Sequence, residues 1–244
     1  RYLLFGAESS DQSFNWIHLR IFLKTIVSAL FVTFLDFCLC YPIAYYIAQS
    51  AKGGHARLLF ICLLIPFWVN EILRAFAFRI ICGTSGLLNS VLIGVGILPP
   101  DAPIDFLRAD VALYTGLSYA YILMMVFPLY NAIESLDHNQ IEAARDLGSP
   151  WWRIHWRVVM PHAKPGIASG CVMVFMLAAG ALATPQILGG PSSLWFTQVI
   201  YDQFFQGFNW PRGSAYAFVL LLSCVIFVLS ALKIFRVNLG DIAR

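Results

Sequence analysis

Charged residues are scarce in this sequence. Only 12% of its 244 residues are Asp, Glu, Lys or Arg, whereas 59% are hydrophobic and the mean hydropathy is +0.73. Soluble domains carry about 25% charged residues, so a soluble fold of this length would expose more apolar surface than it could cover. The net charge of +3 is also too small to indicate a nucleic-acid partner. Lipid is therefore the expected solvent of this chain.

Motifs for metal binding and for phosphate binding are missing as well. The six cysteines form no CxxC pair, and the five histidines show no HxxxH or HExxH spacing, which argues against a metal site. Neither GxxxxGKS nor GxxxxGKT occurs, so any ATPase that the function needs is another polypeptide. We therefore expect no catalytic residues, no metal and no cofactor in this chain.

Five apolar stretches are long enough to cross a bilayer, which takes about 20 residues. They predict an all-α, polytopic integral membrane protein that forms a single domain over residues 1–244. The predicted spans lie at about 21–49, 57–82, 111–135, 166–188 and 214–235.

Lys and Arg in the loops set the expected orientation, because they accumulate on the cytoplasmic side. One side holds nine and the other holds four. The richer set is Lys52, Arg57, Arg145, Arg153, Arg157, Lys164, Lys233, Arg236 and Arg244. We therefore expect the loop 136–165 and the C-terminus to be cytoplasmic and the segment 1–20 to be external. An odd number of spans with an external start predicts a sixth helix upstream in the intact protein.

A short polar helix is expected in the loop 136–165. Asp137 can cap a helix that starts one residue later, and Glu142 and Arg145 can pair across one turn. Gly148 can take the left-handed conformation that ends a helix. From these residues alone, the segment is either an amphipathic helix on the membrane surface or a contact for a second protein.

The spacing of this segment resembles a family signature. The run Glu142-Ala143-Ala144 is followed by Gly148 and then by Val158-x-Met160-Pro161, which resembles the EAA motif of ABC importer permeases, with Val and Met in place of Ile and Leu. The resemblance implies a type I ABC importer transmembrane domain whose coupling helix fits a groove on a separate ATP-binding subunit. The residues that it assigns to this contact are Glu142, Ala143, Ala144, Arg145, Asp146 and Gly148.

Further stretches resemble the spermidine/putrescine permease family over nearly the whole chain. These are Tyr41-Pro42, Pro66-Phe67-Trp68 with Asn70 and Arg74, TPQILGGP at 184–191, and Asn209-Trp210-Pro211. The resemblance implies a polyamine or a related amine as cargo. Polyamine permeases often carry acidic residues where this chain has Ala181 and Gln186, so another small organic solute, such as an amino acid derivative, is the alternative.

Ionisable residues inside the predicted spans are candidates for the solute pathway, because a charge at membrane depth usually faces protein or a wet cavity. They can instead pair with each other, Glu71 with Arg74 and Asp36 with Arg79 or a second permease. For a cationic cargo, carboxylates are natural ligands and aromatic rings offer cation–π faces. The candidate set is Asp36, Trp68, Asn70, Glu71, Arg74, Tyr121 and Gln186.

The resemblance implies a transport subunit of the bacterial inner membrane that is not an enzyme. The implied partners are two copies of an ATPase subunit that binds ATP and Mg, a second permease, a periplasmic solute-binding protein and membrane lipid. An ion-coupled secondary transporter is the alternative from another class; it usually contains inverted repeats, and none is visible in the sequence. An intramembrane enzyme would need a cluster of His, Asp or Ser, which the spans do not suggest.

Overall fold

The computed structural model describes residues 16–50, 54–99, 102–190 and 193–235. Every regular element in these ranges is a helix, which confirms the predicted all-α class. The predictions that lie outside the described residues concern most of the segment 1–20 and residues Lys52, Pro191, Arg236 and Arg244.

The helices follow one another with short connections. In chain order they are α1 (Trp16–Tyr45, continued by a π-helical turn, Tyr46–Ser50), α2 (Gly54–Leu64, continued by a 3-10 turn, Ile65–Trp68), α3 (Glu71–Cys82), α4 (Leu87–Gly94), α5 (Val111–Glu134), α6 (His138–Asp146), α7 (Trp151–His162, with a π-helical turn at His155–Val159), α8 (Lys164–Gly180), α9 (Ala183–Leu188), α10 (Phe196–Phe205) and α11 (Trp210–Phe235).

Four helical segments of the described chain are long and apolar enough to span a membrane. They are Trp16–Gln49, Glu71–Gly94, Val111–Glu134 and Trp210–Phe235. The pair α7 and α8, bent by 74°, is a fifth candidate if it counts as one span. The predicted spans at 21–49, 111–135 and 214–235 are confirmed as helices.

The predicted span at 57–82 is wrong as a continuous helix. The chain leaves the α-helical path at Ile65–Trp68, and α3 begins only at Glu71. A proline at position 66 lacks the N–H that an uninterrupted helix would use. The side chain of Asn70 then accepts the N–H of Ile72 at 2.9 Å and starts a new helix. The membrane-length segment accordingly begins at Glu71 and not at residue 57 as predicted.

The predicted span at 166–188 is also divided. Helix α8 ends at Gly180, and the short helix α9 follows after two residues without helical structure. At the end of α8, the Ala178 carbonyl accepts the indole N–H of the buried Trp195 at 3.2 Å. The Ala181 carbonyl accepts the hydroxyl of Thr197 at 2.5 Å. The carbonyls at the end of α8 and just after it therefore accept hydrogen bonds from side chains that lie 17 and 16 positions further along the chain.

The contacts divide the chain into two compact units. The first unit holds the described residues of Arg1–Val32, Val69–Ala120 and Leu177–Cys224. Its apolar core joins the start of α1 to α10 and α11 through Ile21, Phe196, Val199, Tyr216 and Leu220. A buried hydrogen bond joins the same helices, because the Thr25 hydroxyl of α1 accepts the N–H of Phe196, the first residue of α10, at 2.9 Å. The membrane helix α1 is therefore tied to the start of α10.

The second unit holds the described residues of Thr33–Trp68, Tyr121–Met176 and Val225–Arg244. Helices α5 and α8 approach closely in this unit because α8 presents glycines. A Cβ at Gly166 would collide with the Pro128 carbonyl, and a Cβ at Gly170 would press on Met125. Small residues of this kind let membrane helices pack at short distance.

Candidate functional site

The predicted polar helix is present as α6, and both of its ends are formed as expected. The Asp137 side chain accepts the N–H of Asn139 at 3.0 Å, which confirms the N-cap. Gly148 has a φ of +74°, which confirms the left-handed turn. The N–H groups of Gly148 and Ser149 bond back to the carbonyls of Arg145 and Ala144, the two bonds of a Schellman motif. The shape of this segment is therefore fixed by its own residues.

Most of the predicted contact residues lie on the surface of α6 and its turn. Ile141 is buried in the second unit at 1% exposure, whereas Glu142, Ala143, Arg145, Asp146 and Gly148 are exposed and Ala144 is half-buried. One residue that the sequence analysis missed is Leu147, whose exposed fraction of 87% puts a large apolar side chain at the tip of the turn. An apolar residue next to the glycine of a polar helix was the available signal.

The predicted partner of Glu142 differs from the one in the structure. Glu142 Oε1 lies 3.3 Å from Nε2 of His138, one turn earlier on α6, and not against Arg145 as predicted. Both side chains of this pair are about half exposed, 51% for His138 and 58% for Glu142. Glu142 therefore carries a local contact within α6 while it remains accessible to a partner.

The helix after the turn holds a buried histidine. His155 lies in the π-helical turn of α7, and its Nδ1 is 2.9 Å from the hydroxyl of Tyr41. The rings of Tyr45 and Trp151 meet the imidazole edge to face, each with centroids 4.4 Å away. Through these contacts, α7 packs on the last two turns of α1. The helix after Gly148 starts at Trp151, and Pro150 occupies its N-terminal capping position.

Four of the seven solute-pathway candidates belong to the first unit, on α3 and the short helix α9 that packs against it. Glu71, at the start of α3, accepts the hydroxyl of Thr184 at 3.0 Å. The guanidinium of Arg74 lies over the ring of Tyr119, 5.6 Å from its centroid. Asn70 is the cap of α3, and Gln186 is exposed on α9. The structure therefore gives Asn70 and Glu71 structural contacts at the break between α2 and α3.

The other three candidates belong to the second unit. Asp36 is completely buried in α1, and Tyr121 in α5 is 8% exposed, whereas Trp68 is 87% exposed. The predicted pairings of Asp36 with Arg79 and of Glu71 with Arg74 stay predictions. For Arg79 the structure shows a hydrogen bond of 3.2 Å to the Ile187 carbonyl, at the end of α9.

An ion pair at the start of α5 was missed in the sequence. Lys24, inside the first span, lies 3.0 Å from Asp110, and the two side chains are 34% and 17% exposed. Asp110 has a φ of +58°, an uncommon conformation for a residue other than glycine. The residues are 86 positions apart, so only the fold brings them together. The pair belongs to the first unit, as do Glu71 and Arg74.

Comparison with known proteins agrees with this architecture. Residues 17–235 match the family described as "Binding-protein-dependent transport system inner membrane component". The chain is 35% identical over 223 residues to the spermidine/putrescine transport system permease protein PotB of Haemophilus influenzae, covering 91% of this chain and 77% of that protein. It is 29% identical over 122 residues to the permease protein PotC of Escherichia coli, covering 48% of this chain and 46% of that protein.

The fold is similar to that of solved transporters. A chain in the crystal structure of a bacterial alginate ABC transporter, in complex with an alginate pentasaccharide-bound periplasmic protein, has a TM-score of 0.76 and 17% identity. The alignment covers 96% of this chain and 80% of that one. The family match extends over nearly all of the described residues. The chain therefore belongs to the binding-protein-dependent transport system inner membrane components: it is a multi-span permease subunit of an ABC importer in the inner membrane, it is not an enzyme, and it works with a separate ATPase and a solute-binding protein.

Proposed function

We propose that this chain is the permease through which an ABC importer moves a polyamine, spermidine or putrescine, across the inner membrane by alternating access. The observation that carries the proposal is the 35% identity to PotB over 91% of the chain. The relatives do not favour the alternatives, an importer of another small organic solute such as an amino acid derivative and an ion-coupled secondary transporter. The prediction of a single permease domain over 1–244 is part of the same proposal.

In this proposal α6 and its turn are the coupling helix that docks on the ATPase subunit. The contact set is Glu142, Ala143, Ala144, Arg145, Asp146 and Gly148, to which the exposed Leu147 is added. Ala143 has almost no side chain, so a partner surface can approach the helix closely, while Leu147 offers apolar area to bury. The capped ends support this role, because a helix of defined length and direction can transmit a displacement.

The complete importer then holds two copies of the ATPase, which bind ATP and Mg, a second permease and a periplasmic solute-binding protein. Partial similarity to PotC supports a second permease of related sequence. The proposal also sets the orientation, with α6, α7 and the C-terminus in the cytoplasm. The four basic residues of this loop are Arg145, Arg153, Arg157 and Lys164, all of them exposed, and the positive-inside rule assigns a loop so rich in Lys and Arg to the cytoplasm.

For the solute pathway we propose the carboxylates of Asp36 and Glu71 as ligands of the cargo ammonium groups. Glu71 is exposed and bonded to one hydroxyl group, which leaves carboxylate lone pairs for a cation. Trp68 and Tyr121 would supply aromatic faces, and Asn70, Arg74 and Gln186 would line the route. This assignment is consistent with a cationic cargo, since an ammonium group inside the membrane needs negative partners.

The test begins with purification of the importer from native membranes in mild detergent, with mass spectrometry of the proteins that accompany this chain. The purified importer is then reconstituted in vesicles, with ATP on the side of the membrane that α6 faces. It should transport labelled spermidine or putrescine to that side but not a zwitterionic amino acid. Accumulation of the amino acid alone would contradict the polyamine assignment. Transport by this chain alone, without ATP or an ATPase, would contradict the importer itself.

A further inference from the structure

Gln49 connects three helices of the second unit. It lies in the π-helical turn Tyr46–Ser50 at the end of α1. Its amide nitrogen donates to the carbonyls of Ile133 and Leu136, at 2.9 and 3.2 Å. Its amide oxygen lies 3.1 Å from Nδ1 of His138, the first residue of α6. We call these four residues the Gln49 junction.

Each hydrogen bond of the Gln49 junction has a defined donor and a defined acceptor. The Ile133 carbonyl lies in the last turn of α5, where it also accepts the N–H of Leu136 at 3.2 Å, and the Leu136 carbonyl lies two residues after the helix ends; carbonyls at a helix end need donors from outside the helix. Since the amide nitrogen of Gln49 serves these carbonyls, the amide oxygen is the atom left for His138, and Nδ1 of His138 must donate to it. The other ring nitrogen of His138 faces Glu142 at 3.3 Å. One side chain therefore links the end of α1 to the end of α5 and, through His138, to the glutamate of α6.

Two contacts of different kinds hold α6 to the second unit. Ile141 is buried on the apolar side, and His138 is hydrogen-bonded to Gln49 one turn before it. Residues three apart on a helix lie on neighbouring positions of one face. A rotation or a tilt of α6 that preserves one of these contacts therefore disturbs the other, and it shifts the end of α1 or of α5 with it.

We propose that Gln49 is a positioning residue that fixes the direction of α6 and transmits its displacement to α1 and α5. The proposal rests on the proposed coupling role of α6. The proposal adds that this transmission depends on the hydrogen bonds of the Gln49 amide, two donated by its nitrogen and one accepted by its oxygen. If Gln49 only filled space, an apolar side chain of similar size would serve equally well.

Two variants test the junction. Gln49→Leu removes all three hydrogen bonds. Gln49→Glu keeps the size of the side chain but replaces the amide nitrogen, which donates to two carbonyls, with a carboxylate oxygen that can only accept. Hydrogen exchange of the backbone amides of α6, measured on the full chain without ATPase, reports the junction directly. We expect exchange about tenfold faster in both variants, because several hydrogen bonds are lost together. The matched control is Gln140→Leu, an exposed glutamine of α6 outside the junction, which should leave the exchange unchanged. Unchanged exchange of α8 shows that each variant is folded.

A second measurement uses the whole importer in vesicles and counts solute molecules moved per ATP hydrolysed. Both Gln49 variants should lower this ratio while the affinity for the ATPase subunit stays within about twofold of the original. Wild-type exchange of α6 in both Gln49 variants would overturn the proposal, and so would faster exchange with an unchanged transport ratio. Failure of the coupling role itself is recognised separately, by normal transport in a Glu142→Lys importer.

Discussion

The turn that ends α6 allows a substitution whose effect is set by the backbone alone. Gly148 has a φ of +74°, and a Cβ added there would meet nothing within 4 Å. A methyl group therefore fits without a clash. The free-energy cost of Gly148→Ala is then only that of holding an L-residue in the left-handed conformation, about 1–2 kcal/mol. At about 1.4 kcal/mol per factor of ten, the native turn becomes about 5- to 30-fold less populated relative to alternatives.

If the ATPase subunit binds α6 with the turn in this shape, its Kd should rise by up to the same factor. The assay is binding of purified ATPase subunit to the chain in lipid nanodiscs, and Gly148→Asn should have a smaller effect because Asn tolerates this conformation. Gly96 is the matched control, since it has a φ of +78° and equally open surroundings at the end of α4. ATPase binding that is unaffected by Gly148→Ala, or equally weakened by Gly96→Ala, would refute the reasoning.

Three further variants, one of them a double substitution, test the remaining assignments. Glu142→Lys puts a cation beside His138 and on the docking face, and should reduce ATP-driven uptake about tenfold or more while the protein stays in the membrane; normal uptake would count against the contact. Asp36→Asn together with Glu71→Gln should weaken uptake of a cationic solute about tenfold without changing ATPase binding, since each charged hydrogen bond contributes roughly 1.5–3 kcal/mol; unchanged uptake would assign both residues to packing. Lys24→Met should lower the free energy of unfolding by about 1–3 kcal/mol, because it leaves the partly buried Asp110 without this ammonium group. Thermal unfolding in detergent measures the loss, and a second change, Asp110→Asn, should recover part of it.

Membrane helices were predicted well where run length alone decides. Helices α1, α5 and α11 are long helices of predominantly apolar sequence, and length and hydropathy are local properties of a sequence. The breaks before α3 and α9 were not predicted, because an apolar run does not reveal that Asn70 will cap a new helix or that Trp195 will bond to the end of α8. Both interruptions depend on polar side chains that the hydropathy average hides.

In the candidate site, too, the local features were predictable from the sequence and the contacts between distant residues were not. The capped ends of α6 were predictable, since Asp137 and Gly148 act on atoms within a few residues. The partner of Glu142 was predicted wrongly because positions three residues after and four residues before it are equally near on a helix, and only the fold selects His138. Gln49 was invisible to sequence reasoning, since its partners are 84 to 89 positions away.

The arrangement gives a reason for a polar helix in a chain that is otherwise soluble in lipid. The exposed side of α6 and its turn offers Ala143 and Leu147 to a partner. The opposite side meets the ends of α1 and α5 through His138 and Gln49. A force applied to the exposed side therefore acts on α6 as one rigid element, because its N-cap and its Schellman turn prevent either end from unwinding freely. On the proposed function, the polar residues are needed where lipid is absent and where a movement must pass from one protein to the next. This is why the Gln49 amide, rather than any further apolar contact, is the element whose removal should separate ATP hydrolysis from transport.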